Sequence, residues 1–185
     1  VAGLAIAGNV LSCSLAAFAF ARLEFALKKV LFACMLVTMM LPYHVVIIPQ
    51  YILYNQLGWI NTFMPLTVPK FLATEGFFIF LMVQFMRSLP AELDQAATVD
   101  GCGPLQIYWR LVLPLSLPAL VTTAIFTFIW TWNDFFSQLI YLSDVKKLTV
   151  ALGLRLFLDS TSQSQWGAMF AMSILSLIPV FVIFV

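Results

Sequence analysis

Glu92, Asp94, Gln95 and Asp100 gather acidic and amide groups around two alanines, Ala96 and Ala97, and a glycine, Gly101, in a chain that is only 9% charged. Their order predicts a short helix of about three turns. Ser88 is placed to cap it, and Pro90 falls in the early turn, where a missing N–H costs nothing. Glu92 and Asp94 then oppose the positive end of the helix dipole. Gly101 supplies a left-handed stop. A second helix is expected from Pro104 to Pro114, with Leu105, Tyr108, Leu111 and Val112 as its apolar stripe. Together they make a knuckle showing small residues (Ala96, Ala97, Gly101), so that a partner's backbone can come close. That chemistry is docking, not bond making.

A second set of residues is Thr123, Thr127, Thr131, Asp134 and Gln138, at helical intervals in an otherwise apolar stretch. Two readings stand open. The strip lines a solute path, with Trp130 and Asn133 nearby to stack on or hydrogen-bond a sugar. Alternatively it makes ordinary bonds between helices, the threonines bonding back to carbonyls one turn earlier. His44, Glu75 and Asp134 are the isolated ionisable groups of apolar segments. No Ser-His-Asp set, carboxylate pair or metal-ligand spacing occurs, so no catalytic or metal site is expected. Gly101-Cys102-Gly103 lacks the lysine and hydroxyl of a phosphate-binding loop, so this chain holds no nucleotide of its own. Cys13, Cys34 and Cys102 read as apolar space-fillers.

The elements carrying these residues are apolar. The 185 residues are 63% hydrophobic with a mean hydropathy of +1.02, well outside the range of soluble domains. A net charge of +1 gives no case for nucleic-acid binding. Five spans can be drawn: Val1 to about Ala21, Val30 to Ile52, Phe71 to Met86, Ala119 to Tyr141, and Trp166 onward. In the first, Gly8, Ser12 and Ala16 form a strip for close helix approach. Pro42 and Pro49 predict that the second is kinked or broken. Glu75 is placed near an outer end, and Ser143 to Gln165 reads as a polar loop. With the 88–118 segment in the cytoplasm, Arg22, Lys28, Lys29, Arg87 and Arg110 lie inside. Lys70, Lys146, Lys147 and Arg155 lie outside, a slight positive-inside bias. The chain is expected to be one transmembrane domain, residues 1–185, cut at both ends.

Gln95-Ala96-Ala97, three residues, Gly101, nine residues, then Leu111-Val112-Leu113-Pro114 resembles the EAA loop of binding-protein-dependent ABC importers. The longer run from Leu89 to Gly101 is similar to the carbohydrate branch, the maltose-permease-like subunits. Thr38-Met39-Met40-Leu41-Pro42, Trp132-Asn133-Asp134-Phe135 and Gln165-Trp166-Gly167 agree with it. The resemblance implies an all-α, polytopic transmembrane helix bundle of the type I ABC importer permease kind. It implies a non-enzymatic subunit of a bacterial cytoplasmic (inner) membrane, set in the lipid bilayer. Its partners would be a second homologous permease subunit, a cytoplasmic ATPase dimer that binds the ATP, and an extracytoplasmic substrate-binding protein. The 88–118 loop would be the ATPase-docking lever, with Glu92, Asp94, Gln95, Ala96, Ala97, Asp100, Gly101, Leu111 and Pro114 at the contact. One departure stands out: the first motif position is usually glutamate and here is Gln95, so Asp94 or Glu92 would have to substitute. The other expectation is a stand-alone secondary transporter or channel coupled through His44, Glu75 and Asp134.

Overall fold

The computed structural model describes residues 1–154 and 166–184, and among them every regular element is helical. Helix α1 (Ala2–Arg22) is followed by α2 (Lys28–Met39), α3 (Tyr43–Gln56), α4 (Met64–Thr67) and a 3₁₀ turn, Val68–Leu72. Then come α5 (Gly76–Ser88), α6 (Glu92–Val99), α7 (Pro104–Ile107), a π-turn Tyr108–Val112, α8 (Leu113–Leu115) and α9 (Leu117–Asn133). Helices α10 (Phe136–Tyr141), α11 (Val150–Gly153) and α12 (Trp166–Phe184) complete the order. Arg155, Asp159 and Gln165 of the expected polar loop lie outside the described residues.

At 1.5 Å per residue, α1 is about 30 Å long, and it is apolar enough to cross a membrane, as is the helical segment Met64–Ser88. Two further pairs qualify only together. The α2–α3 pair is bent by 102° and the Pro104–Leu115 and Leu117–Asn133 pair by 75°. The five hydropathy spans therefore become two continuous ones, up to four with the bent pairs, and the C-terminal helix holds a shorter apolar stretch, Met169–Ile183. The expected break in the second span is present, and it falls at Pro42, which starts α3, while Pro49 is carried inside that helix.

Lipid offers no hydrophobic gain for helix association, so close packing and interhelical bonds must hold such a bundle. On α1 the fully buried stripe is Ala5, Asn9, Cys13 and Ala17, one position beyond the predicted Gly8, Ser12, Ala16 strip. Both are used, because i,i+4 rows one residue apart lie about 100° round the helix. The first row faces α5 and α9. The second meets the 3₁₀ turn: a Cβ on Gly8 would come within 2.6 Å of the Phe71 ring, and Ser12 Oγ donates to Lys70 O at 2.7 Å.

Helices α1 and α5 run parallel, ending together where Arg22 Nη2 donates to Leu89 O at 2.9 Å. Helix α9 returns antiparallel to α1, joined at mid-length by Asn9 Nδ2 donating to Thr127 Oγ1 at 2.7 Å. Phe78, Met82, Val83 and Met86 of α5 pack with Cys13, Ala17 and Phe18 of α1 and with Ala97, Ile107, Tyr108 and Val112 into one core. A smaller cluster of Ile47, Tyr54, Leu66, Tyr141, Leu142 and Leu152 closes the other end.

Candidate functional site

The knuckle forms at the shared end of α1 and α5, with a different start from the one its sequence suggests. Leu89 precedes a proline and is extended (φ −72°, ψ 139°), so α5 ends at Ser88. The Ser88 hydroxyl donates back to Phe85 O at 2.7 Å and does not cap the next helix. Pro90 lies ahead of α6, whose N-cap is Ala91 without a side-chain cap. The helix is thus eight residues, about two turns instead of three. Glu92 and Asp94 do sit in its first turn.

Its end follows the expectation. Gly101 adopts φ +82°, Cys102 N–H donates to Ala97 O at 2.9 Å and Gly101 N–H to Thr98 O at 3.0 Å. These paired bonds form a Schellman stop. A Cβ on Gly101 would meet nothing within 4 Å, so the demand for glycine there is purely conformational. Gln106 Oε1 accepts the Gly103 N–H at 3.0 Å and starts the next helix behind Pro104. That helix passes through the π-turn and bends into α9 at Ser116.

The inner side of the knuckle is fixed by two long-range polar contacts. Arg22 Nη1 pairs with Asp94 Oδ2 at 3.2 Å, the side chains only 10% and 21% exposed. The Tyr108 hydroxyl, wholly buried, shares a hydrogen bond with Ser14 Oγ at 2.8 Å, and its ring lies 5.3 Å from that of Phe18. Asp94 therefore binds the chain's own α1 and is not a spare acid for a partner; Glu92 remains exposed. Two further expectations change here. Ala97 is buried in the core, so the outward small residues are Ala96 and Gly101. Leu105 is 67% exposed, outside the apolar stripe, because only the Ile107, Tyr108, Leu111 and Val112 side faces α1 and α5. The outward face of α6 shows Glu92, Gln95, Ala96, Val99 and Asp100, Val99 being 88% exposed. Pro114 is also exposed.

The strip on α9 behaves differently. Thr123 and Thr127 are buried against α1, and Thr127 is bound to Asn9. Helix α9 stops at Asn133, so the single face does not continue: Asp134 Oδ1 accepts Ser137 N–H at 3.1 Å and starts α10. Asn133 Nδ2 donates to Ile129 O at 2.9 Å. Buried Gln138 is bound to the Thr149 hydroxyl. Thr131, Trp132 and Gln138 line a cavity of about 280 Å³ with Lys146, Lys147 and Thr149. Trp130 lies on another side of α9, its ring 5.5 Å from Phe77 and 5.0 Å from Phe78.

Glu75 is the N-cap of α5, at the end of that helix away from the knuckle. It pairs with Lys70 beside a sharp turn in which Ala73 has φ +53°. Through the Ser12 bond to Lys70 O and the approach of Cys13 Sγ to Glu75 O (3.9 Å), that turn is level with the middle of α1. The turn interrupts the helical segment Met64–Ser88, which leaves α5 itself short. Sequence reasoning missed this pair, although Lys and Glu five residues apart beside Pro69 carried a signal. His44 is exposed, with its ring 5.2 Å from Phe136. His44 and Asp134 meet the same stretch of chain, His44 at the Phe136 ring and Asp134 at the Ser137 N–H, while Glu75 is paired with Lys70; among the described residues the three make no direct bond to one another. Among the described residues, no group of three or more His, Cys, Asp or Glu is placed to hold a metal, and Cys13, Cys34 and Cys102 are free thiols.

The profile of the binding-protein-dependent transport system inner membrane component family matches residues 8–185. The chain is 32% identical over 179 residues to the trehalose/maltose transport system permease protein of Thermococcus litoralis, covering 97% of this chain and 64% of that protein. It is 33% identical over 173 residues to the sn-glycerol-3-phosphate transport system permease protein of Yersinia enterocolitica, covering 93% and 61%. The chain thus spans a little under two thirds of these curated relatives. In fold it matches a chain of a bacterial ABC transporter involved in the import of the acidic polysaccharide alginate, with a TM-score of 0.86 at 22% identity, over 99% of this chain and 69% of that one.

Proposed function

The chain belongs to the family of binding-protein-dependent transport system inner membrane components, and on that premise we propose that it is part of the permease subunit of an ATP-driven importer. The importer's energy comes from a separate ATPase pair that grips the 88–118 knuckle. A second, homologous permease completes the path, and a soluble binding protein delivers the solute from outside. Five spans, in a cytoplasmic membrane, fit this role once each bent pair is counted as one and α12 as another. The solute is a sugar or a related polyol, in keeping with the relatives named for trehalose/maltose and sn-glycerol 3-phosphate.

The observation that carries the reading is the build of the knuckle. It is a rigid helix–glycine–helix corner whose inner side is bonded to α1. Its outer side leaves Glu92, Gln95, Ala96 and Val99 without intramolecular partners among the described residues. ATPase closure would swing this corner and, with it, the attached Met64–Ser88 and Leu117–Asn133 segments between two packings. The stand-alone reading has no direct bond among His44, Glu75 and Asp134 to build on in the described residues, Glu75 being paired with Lys70 and Asp134 with the Ser137 N–H. Purification of the full-length protein in mild detergent tests the proposal. An ATPase should travel with it, and uptake in vesicles should follow ATP. Uptake that follows the proton gradient, with no ATPase bound, would overturn it.

A further inference from the structure

The docking corner has two covalent connections to the bundle, α5 and α9, and a third that is made by side chains. At the end of α1, Arg22 reaches across 67 residues of sequence to Leu89 O (2.9 Å) and also to Asp94 Oδ2 (3.2 Å). One guanidinium thus holds both the linker into α6 and the first turn of α6 itself. A planar fork with fixed donor directions suits this double contact, and a lysine could not reproduce it. Near it, Arg87 Nη2 donates to Phe20 O at 3.4 Å, and Tyr108 meets Ser14. All three contacts lie on the C-terminal half of α1. Arg22 Nε and Asp94 Oδ1 are buried with no partner among the described residues. The pair is therefore a single contact flanked by an idle donor and an idle acceptor.

We propose that Arg22 is a positioning residue for energy coupling: with Asp94 it ties the docking helix to α1, so that α1 moves with the knuckle. This rests on the permease reading above and adds a third driven helix to it. Without the tie, α6 would still be presented to a partner by α5 and the 104–115 helix. Its displacement would then be taken up by the extended Leu89–Pro90 linker instead of being passed to α1. The signature of that loss is slippage: ATP hydrolysed without solute moved. The amount of assembled complex need not change.

The test uses the full-length protein in its assembled complex, reconstituted in vesicles, with solute uptake and ATP hydrolysis measured on the same preparation. Arg22→Gln and Asp94→Asn should each lower uptake per ATP by at least about fivefold, the lower end of ordinary coupling energies. Arg22→Lys, which keeps the charge and loses the second contact, should fall between them and the wild type. The ratio is independent of how much complex forms, so a purely structural role would leave it unmoved. An unchanged ratio in both neutralised variants would overturn the proposal. Failure of all three variants to assemble would assign the pair to folding and overturn it equally. If the wild-type chain binds no ATPase, the permease reading itself fails, and that outcome is separate from the other two.

Discussion

The knuckle from Glu92 to Leu115 and the polar strip of α9 look alike as strings of helical spacing, yet the fold uses them in opposite senses. The knuckle turns its long-range polar contacts inward, Asp94 to Arg22 and Tyr108 to Ser14. It leaves a face of small, polar and apolar side chains exposed. Most polar groups of the strip are bonded within the fold: Thr127 accepts from Asn9, Gln138 accepts from Thr149, and Asp134 accepts the Ser137 N–H, while the Thr123 hydroxyl is buried with no partner among the described residues. A polar residue on an apolar helix can thus face outward, as Gln95 does, or be bonded within the fold, as Thr127 is. Its spacing alone does not say which; the helix packed against it decides.

The largest effect that would break this contrast is expected at Gly101. Its φ of +82° is costly for a β-branched side chain, so Gly101→Val should cost the corner about 1–3 kcal/mol. Insertion should survive, while uptake per ATP drops about tenfold or more, within the ordinary range of coupling factors, because the distorted corner no longer passes on the ATPase's motion. Gly101→Asn, which tolerates that region, should stay near wild type. Equal loss in both variants would mean that side-chain space, not backbone shape, matters there.

Next comes Thr127→Val in the strip. It leaves the buried Asn9 amide without its acceptor and should cost about 1–3 kcal/mol of stability, read as a lower unfolding temperature. Uptake per folded complex should be unchanged if the bond serves packing. Altered solute preference at unchanged stability would move Thr127 to the pathway and erase the contrast. Tyr108→Phe removes only the bond to Ser14 and should cost about 1 kcal/mol, with a fall in coupling smaller than that of Arg22→Gln. Gln95→Glu is the mildest. It places an acid on the exposed face and should tighten ATPase binding by at most about 1 kcal/mol, an effect that added salt weakens.

The sequence made the knuckle legible because its signals are local: a glycine stop, a proline start and acids in a first turn all act within a few residues. The helical class and the break at Pro42 were legible for the same reason. Ser88 misled because only three residues separate the two helix ends, and the hydroxyl went to the earlier one. The Arg22–Asp94 and Ser14–Tyr108 contacts join distant parts of the chain, and no pattern in one sequence announces them. The buried row on α1 was displaced by one residue because neighbouring i,i+4 rows are both plausible until the facing helices are known. The Lys70–Glu75 pair was missed because it depends on the turn at Ala73, which hydropathy does not register.

The central claim is that the outward face of α6 is where the ATPase binds. A photo-crosslinking amino acid in place of Val99, 88% exposed on that face, tests it in membranes containing the whole importer. Irradiation should join this chain to the ATPase subunit, and the same probe in place of Thr123, buried against α1, should yield no such product. A cross-link to the ATPase from the Thr123 position, or none from the Val99 position in an importer that transports normally, would contradict the account.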